Sequence, residues 1–90
     1  MKRPPRKYEV TFANSAARAL KKIDPEFQRR IFRRIDALAL DPRPHDVKQL
    51  SAPERLFRVR VNDYRIIYQI KDEILIVLVV SIGHRREVYR

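Results

Sequence analysis

The stretch Leu56-Phe57-Arg58-Val59-Arg60-Val61-Asn62-Asp63-Tyr64-Arg65-Ile66-Ile67-Tyr68 decides how this chain folds. Phe57, Val59 and Val61 alternate with Arg58 and Arg60. Successive side chains of a strand point to opposite faces, so the first three are assigned inward and the two arginines outward. Asn62-Asp63 reads as a tight turn that lacks the usual glycine at its second position. With that loop, Val61 opposes Tyr64, Arg60 opposes Arg65, Val59 opposes Ile66 and Arg58 opposes Ile67. Arg58, Arg60 and Arg65 then share one face of the sheet, while Tyr64 and Tyr68 fall with Phe57 and Val59 on the core face. Like charges directly across a strand pair repel, so three cations kept together point to an anion bound there.

Working outward from the hairpin, Lys7 to Phe12 alternates Tyr8, Val10 and Phe12 and predicts a first strand. Residues 1–6 carry two prolines and three basic residues and predict a flexible basic arm. Asn14 or Ser15 is placed as the cap of a short helix with Ala16, Ala17, Leu20 and Ile23 on one stripe. Asp24-Pro25-Glu26 starts a second helix, with Asp24 as N-cap and Pro25 at the first helical position, where its missing N–H matters least. Phe27, Ile31, Ile35 and Leu38 face inward there, Arg29, Arg30, Arg33 and Arg34 mostly outward, and Asp41-Pro42-Arg43-Pro44 ends it. From His45 to Arg55 the pattern is irregular and predicts a surface loop anchored by Val47 and Leu50. Lys71-Asp72-Glu73 turns the hairpin into an apolar strand at 74–82, uniform enough to be a central strand covered on both faces, or one whose outer face a partner covers. The order β-α-α-β-β-β predicts an α+β fold: a mostly antiparallel four-stranded sheet with both helices on one face.

Ninety residues predict one domain, spanning residues 1–90, and neither an internal repeat nor a low-complexity segment is seen. Cysteine is absent, which excludes disulfides and thiolate metal sites. The run Ile74 to Val80 is far too short to span a bilayer, and no N-terminal apolar stretch suggests secretion, so a soluble cytoplasmic protein is expected. Lys and Arg number 21 against 11 Asp and Glu, for a formal net charge of +10, and arginine supplies most of the excess. Arginine binds phosphate in two-point fashion and stays charged near neutrality. A polyanion, nucleic acid or an acidic protein, is therefore the expected partner.

The hairpin, the order of elements and the ending Gly83-His84-Arg85-Arg86-Glu87-Val88-Tyr89 resemble the RelE/ParE toxin superfamily of bacterial toxin–antitoxin systems. The resemblance runs from the first strand to Tyr89. In RelE-like members it implies ribosome-dependent mRNA cleavage that inhibits translation and is restrained by a cognate antitoxin. In the ParE branch it implies poisoning of DNA gyrase. A nonenzymatic RNA-binding or co-repressor module is a third possibility.

On that resemblance, Arg65 and Arg85 match phosphate-binding arginines and Tyr89 matches the terminal tyrosine that stacks on or orients a nucleotide. Arg58 and Arg60 stand where the best-studied branch has lysines. Cleavage by the RNA's own 2′-hydroxyl needs a base, stabilisation of the pentacoordinate phosphate and an acid, but no metal or other cofactor. Arginine does not give up its proton, so Arg58 and Arg60 are assigned to charge stabilisation. Proton transfer passes to His84 first, with Glu54, Glu87 or a ribosomal group as alternatives. The implied partners are the ribosome, mRNA and an acidic antitoxin whose amphipathic segment folds onto the sheet or the basic groove in a hetero-oligomer.

Overall fold

The computed structural model describes residues 7–84. The elements are β1 (Glu9–Phe12), α1 (Asn14–Lys21), α2 (Pro25–Leu40), β2 (Lys48–Ser51), β3 (Leu56–Val61), β4 (Tyr64–Lys71), a 3-10 turn (Asp72–Ile74) and β5 (Ile76–His84). They form an α+β fold whose sheet has five strands in the order β1-β5-β4-β3-β2. The β1–β5 pair is parallel and the other three pairs are antiparallel.

The expected four strands become five because Lys48–Ser51, read as loop, adds β2 to the outer edge of β3. Its side chains are mostly exposed, so it carries no alternation of apolar and polar residues, and pairing with β3 is what makes it a strand. Leu50 is not the anchor it was expected to be: it is 44% exposed, whereas Val47 packs against the core.

The β3–β4 hairpin has the register expected from its sequence: Val61 opposes Tyr64, Arg60 opposes Arg65, Val59 opposes Ile66 and Arg58 opposes Ile67. Asn62 supplies the positive φ of the turn, 55°, a conformation that asparagine tolerates better than most residues. Asp24 caps α2 by accepting a hydrogen bond from the Glu26 N–H at 3.0 Å, and Pro25 occupies the first turn. α1 departs from expectation. Its N-cap is Ala13, without a side-chain bond, and Asn14 and Ser15 lie inside its first turn. The Ala13 N–H instead donates to the Val79 carbonyl at 2.9 Å, tying the helix start to the sheet.

One core joins the helices to one sheet face: Ala16, Leu20 and Ile23, then Ile31, Ile35 and Leu38, pack with Phe57, Val59, Ile66, Tyr68, Ile70, Val77, Val79 and Ile82. Each fully buried aliphatic side chain contributes roughly 1.5–3 kcal/mol relative to exposure. Tyr68 is fully buried, stacks on Phe57 at 5.8 Å between ring centroids, and donates its hydroxyl to the Pro42 carbonyl at 2.7 Å. Burial raises its pKa above the ordinary phenol value.

β5 is not a regular strand. Ile67 pairs with Ser81 while Tyr68 pairs with Val79, so Val80 is one residue too many. A bulge of this kind exchanges the faces of every residue beyond it. Val77 and Val79 face the core before it, and Ile82 does so after it.

Candidate functional site

The face turned away from the helices gathers the arginines. Arg60 is the cross-strand partner of Arg65, and Arg58 lies two residues along the same face of β3. Lys48 of β2 pairs with Arg58 and adds a fourth cation to the row. The sequence offered no sign of Lys48, because its place depends on a strand that forms only by pairing. Beside the cations, Leu56, Ile67, Ile76 and Leu78 are half-buried on the same face by strand parity. Arg60 is exposed, Arg58 is half-buried, and Arg65 is only 4% exposed. Arg65 thus ends the row on β4, and it is the member most withdrawn from solvent.

His84, expected to serve this cluster, is on the other face. The bulge at Val80 leaves Gly83 opposite Arg65 and turns His84 toward the helices, opposite Tyr64. Its ring stands edge-on to Tyr64, with 5.5 Å between centroids, in a cavity of about 690 Å³ lined also by Ser15, Arg18 and Lys22. Arg85, Tyr89 and the alternative Glu87 lie outside the described residues, as does the basic arm at 1–6. Glu54 sits exposed in the β2–β3 connection, hydrogen-bonded to Ser51.

The opposite end of the sheet uses arginine differently. Asp72, in the turn after β4, accepts from the Tyr8 hydroxyl at 2.7 Å, from Arg43 at 3.1 and 2.7 Å, and from Arg55 at 3.0 Å. The Arg43 guanidinium, then the Tyr8 hydroxyl, hold the Asp72 carboxyl well below the usual carboxylate range. The same contact raises the Tyr8 phenol. Three segments distant in sequence are thus pinned to one carboxylate. Among the described residues no group of three or more His, Asp or Glu side chains is placed to hold a metal ion.

The sequence model of the family described as "ParE toxin of type II toxin-antitoxin system, parDE" matches residues 10–89. The chain belongs to this family. Its fold is shared with solved toxin structures. The RelE–RelB complex of Pyrococcus horikoshii OT3 gives a TM-score of 0.80 at 25% identity, covering 88% of this chain and 96% of that one. The RelBE2 toxin–antitoxin complex of Mycobacterium tuberculosis gives 0.76 at 28% identity, covering 88% and 92%. The isolated RelE toxin of E. coli gives 0.77 at 26%, covering 91% and 90%. No curated protein sequence matches. The chain is therefore a toxin of a type II toxin–antitoxin system of the RelE/ParE superfamily. No helix among the described residues is long and apolar enough to cross a membrane.

Proposed function

We propose that this toxin is a ribosome-dependent endoribonuclease that inhibits translation in the cytoplasm by cutting mRNA. The observation that carries the reading is the row Lys48, Arg58, Arg60 and Arg65 on the sheet face opposite the helices, in a fold shared with RelE. The arginines hold the scissile phosphate and stabilise its added negative charge, with Arg85 and Tyr89 completing the site. The 2′-oxygen attacks phosphorus and the bond to the 5′-oxygen breaks. No metal ion takes part in that step. His84 faces away, so Lys48, the one member of the row able to release a proton, supplies it to the departing 5′-oxygen. Glu54, Glu87 or a ribosomal group takes the proton of the 2′-hydroxyl.

A cognate antitoxin neutralises the toxin. RelE forms complexes with RelB in the Pyrococcus and E. coli structures. On this chain the half-buried row Leu56, Ile67, Ile76 and Leu78 beside four cations suits an amphipathic acidic segment, which would cover the site as it binds.

The match to a family described by its ParE member favours a second reading, a gyrase poison that needs no catalytic groups. The two separate cleanly in vitro. Purified toxin added to translating ribosomes is expected to yield cleaved message and to leave gyrase supercoiling untouched. Intact message together with inhibited supercoiling would replace the first reading by the second.

A further inference from the structure

β2 covers β3 only from Leu56 to Arg58, which leaves the edge at Arg60 and Val61 open. Along this open edge runs a groove of about 350 Å³ between β3 and α2, lined by Arg30, Arg33, Arg34, Ala37, Arg60 and Val61. Four guanidiniums thus surround one small groove, and Arg60 belongs both to it and to the arginine face. Two of the four are anchored. Arg30 donates to Asn62 Oδ1 and Glu26 Oε2, each at 3.2 Å, and Arg34 donates to both oxygens of Asp46 at 2.6 and 2.7 Å. Arg33 and Arg60 are exposed and make no ion pair among the described residues. The carboxylates that engage the anchored pair are themselves largely exposed, so they leave the groove cationic.

We infer that this groove is a second phosphate-binding site, which takes the sugar–phosphate backbone of a single RNA strand as it leaves the arginine face around the edge of β3. The inference rests on the reading of RNA as the polyanion this toxin engages. The groove's chemistry favours RNA over a polypeptide. Its only apolar residues are Ala37 and Val61, whereas the large exposed apolar side chains a protein partner would seek, Phe32, Leu40, Leu50 and Ile74, lie outside it. Two anchored arginines with two unpaired ones beside them suit phosphates of a strand, and such contacts position it without reading its bases.

The test is fluorescence anisotropy of the full-length toxin with a short 2′-O-methyl oligouridine, which cannot be cut, across a salt series. Each phosphate contact on a single strand contributes about 0.7 to the slope of log affinity against log salt. Arg30→Gln/Arg33→Gln is expected to lower the slope by about 1.4, and Arg33→Gln alone by about half of that. Lys21→Gln/Lys71→Gln removes the same charge from two exposed sites outside the groove and is expected to leave the slope unchanged. An unchanged slope in the groove variants, or an equal fall in the lysine variant, overturns the inference. So does a groove variant that loses only affinity for polyglutamate, which would make the groove a site for an acidic protein. The enzyme reading fails separately: a wild-type toxin that cuts no message on ribosomes while the groove variants still lose slope keeps the groove and removes the nuclease.

Discussion

The two ends of the sheet treat arginine in opposite ways. Around Asp72, Arg43 and Arg55 are drawn onto one carboxylate together with the Tyr8 hydroxyl, and their charge is spent on holding loops together. Around Arg60, the cations of β2, β3, β4 and α2 collect with few carboxylates among them. The sign of the charge is the same, but at the first end Arg43 and Arg55 are matched to carboxylates, whereas at the second Arg33 and Arg60 make no ion pair among the described residues. A net charge of +10 is therefore unevenly distributed over the fold.

That contrast breaks most sharply at Arg65. Replacing it with alanine is expected to lower mRNA cleavage by about a hundredfold or more, the scale of losing a fixed transition-state donor. The growth arrest caused by induced toxin should be relieved accordingly. Arg65→Lys should recover only part of the activity, because the planar fork is lost while the charge remains. Wild-type cleavage by folded Arg65→Ala would make the arginine face as structural as the Asp72 end.

At the other end the expectation reverses. Asp72→Asn should leave cleavage intact and lower stability by about 1 kcal/mol, reduced from a fully buried contact because Asp72 is about one-third exposed. In a domain of this size that is a fall in thermal midpoint of roughly 4–8 °C. A smaller effect follows from pH. The folded carboxyl titrates below its ordinary value, so its contribution is fully present above about pH 4 and is lost progressively as the pH falls further. Thermal scans should show a steeper loss of wild-type stability below pH 4 than of Asp72→Asn. Parallel curves would mean that Asp72 does not hold this end together.

The end that gathers Arg58, Arg60 and Arg65 was also the more legible in sequence. Strict alternation at Phe57–Val61 and a turn at Asn62-Asp63 placed Arg58, Arg60 and Arg65 on one face, because a half-buried strand writes its two faces into its sequence. α2 was legible from Asp24-Pro25 and the spacing of Ile31, Ile35 and Leu38. Lys48 was not, since an exposed edge strand has no buried face to record. His84 was misplaced for a different reason. In the uniform apolar run before it no residue marks Val80 as the bulge, so the change of face is set by pairing with β4. The Asp72 cluster joins residues as far apart as Tyr8 and Asp72, and nothing local announces such contacts.

Primer-extension mapping of cellular messages after brief induction is the most direct test of mRNA cleavage by the arginine face. New 5′ ends, phased with codons, are expected on translated messages only, present with wild-type toxin and absent with Arg65→Ala. Growth arrest with every message intact would contradict it.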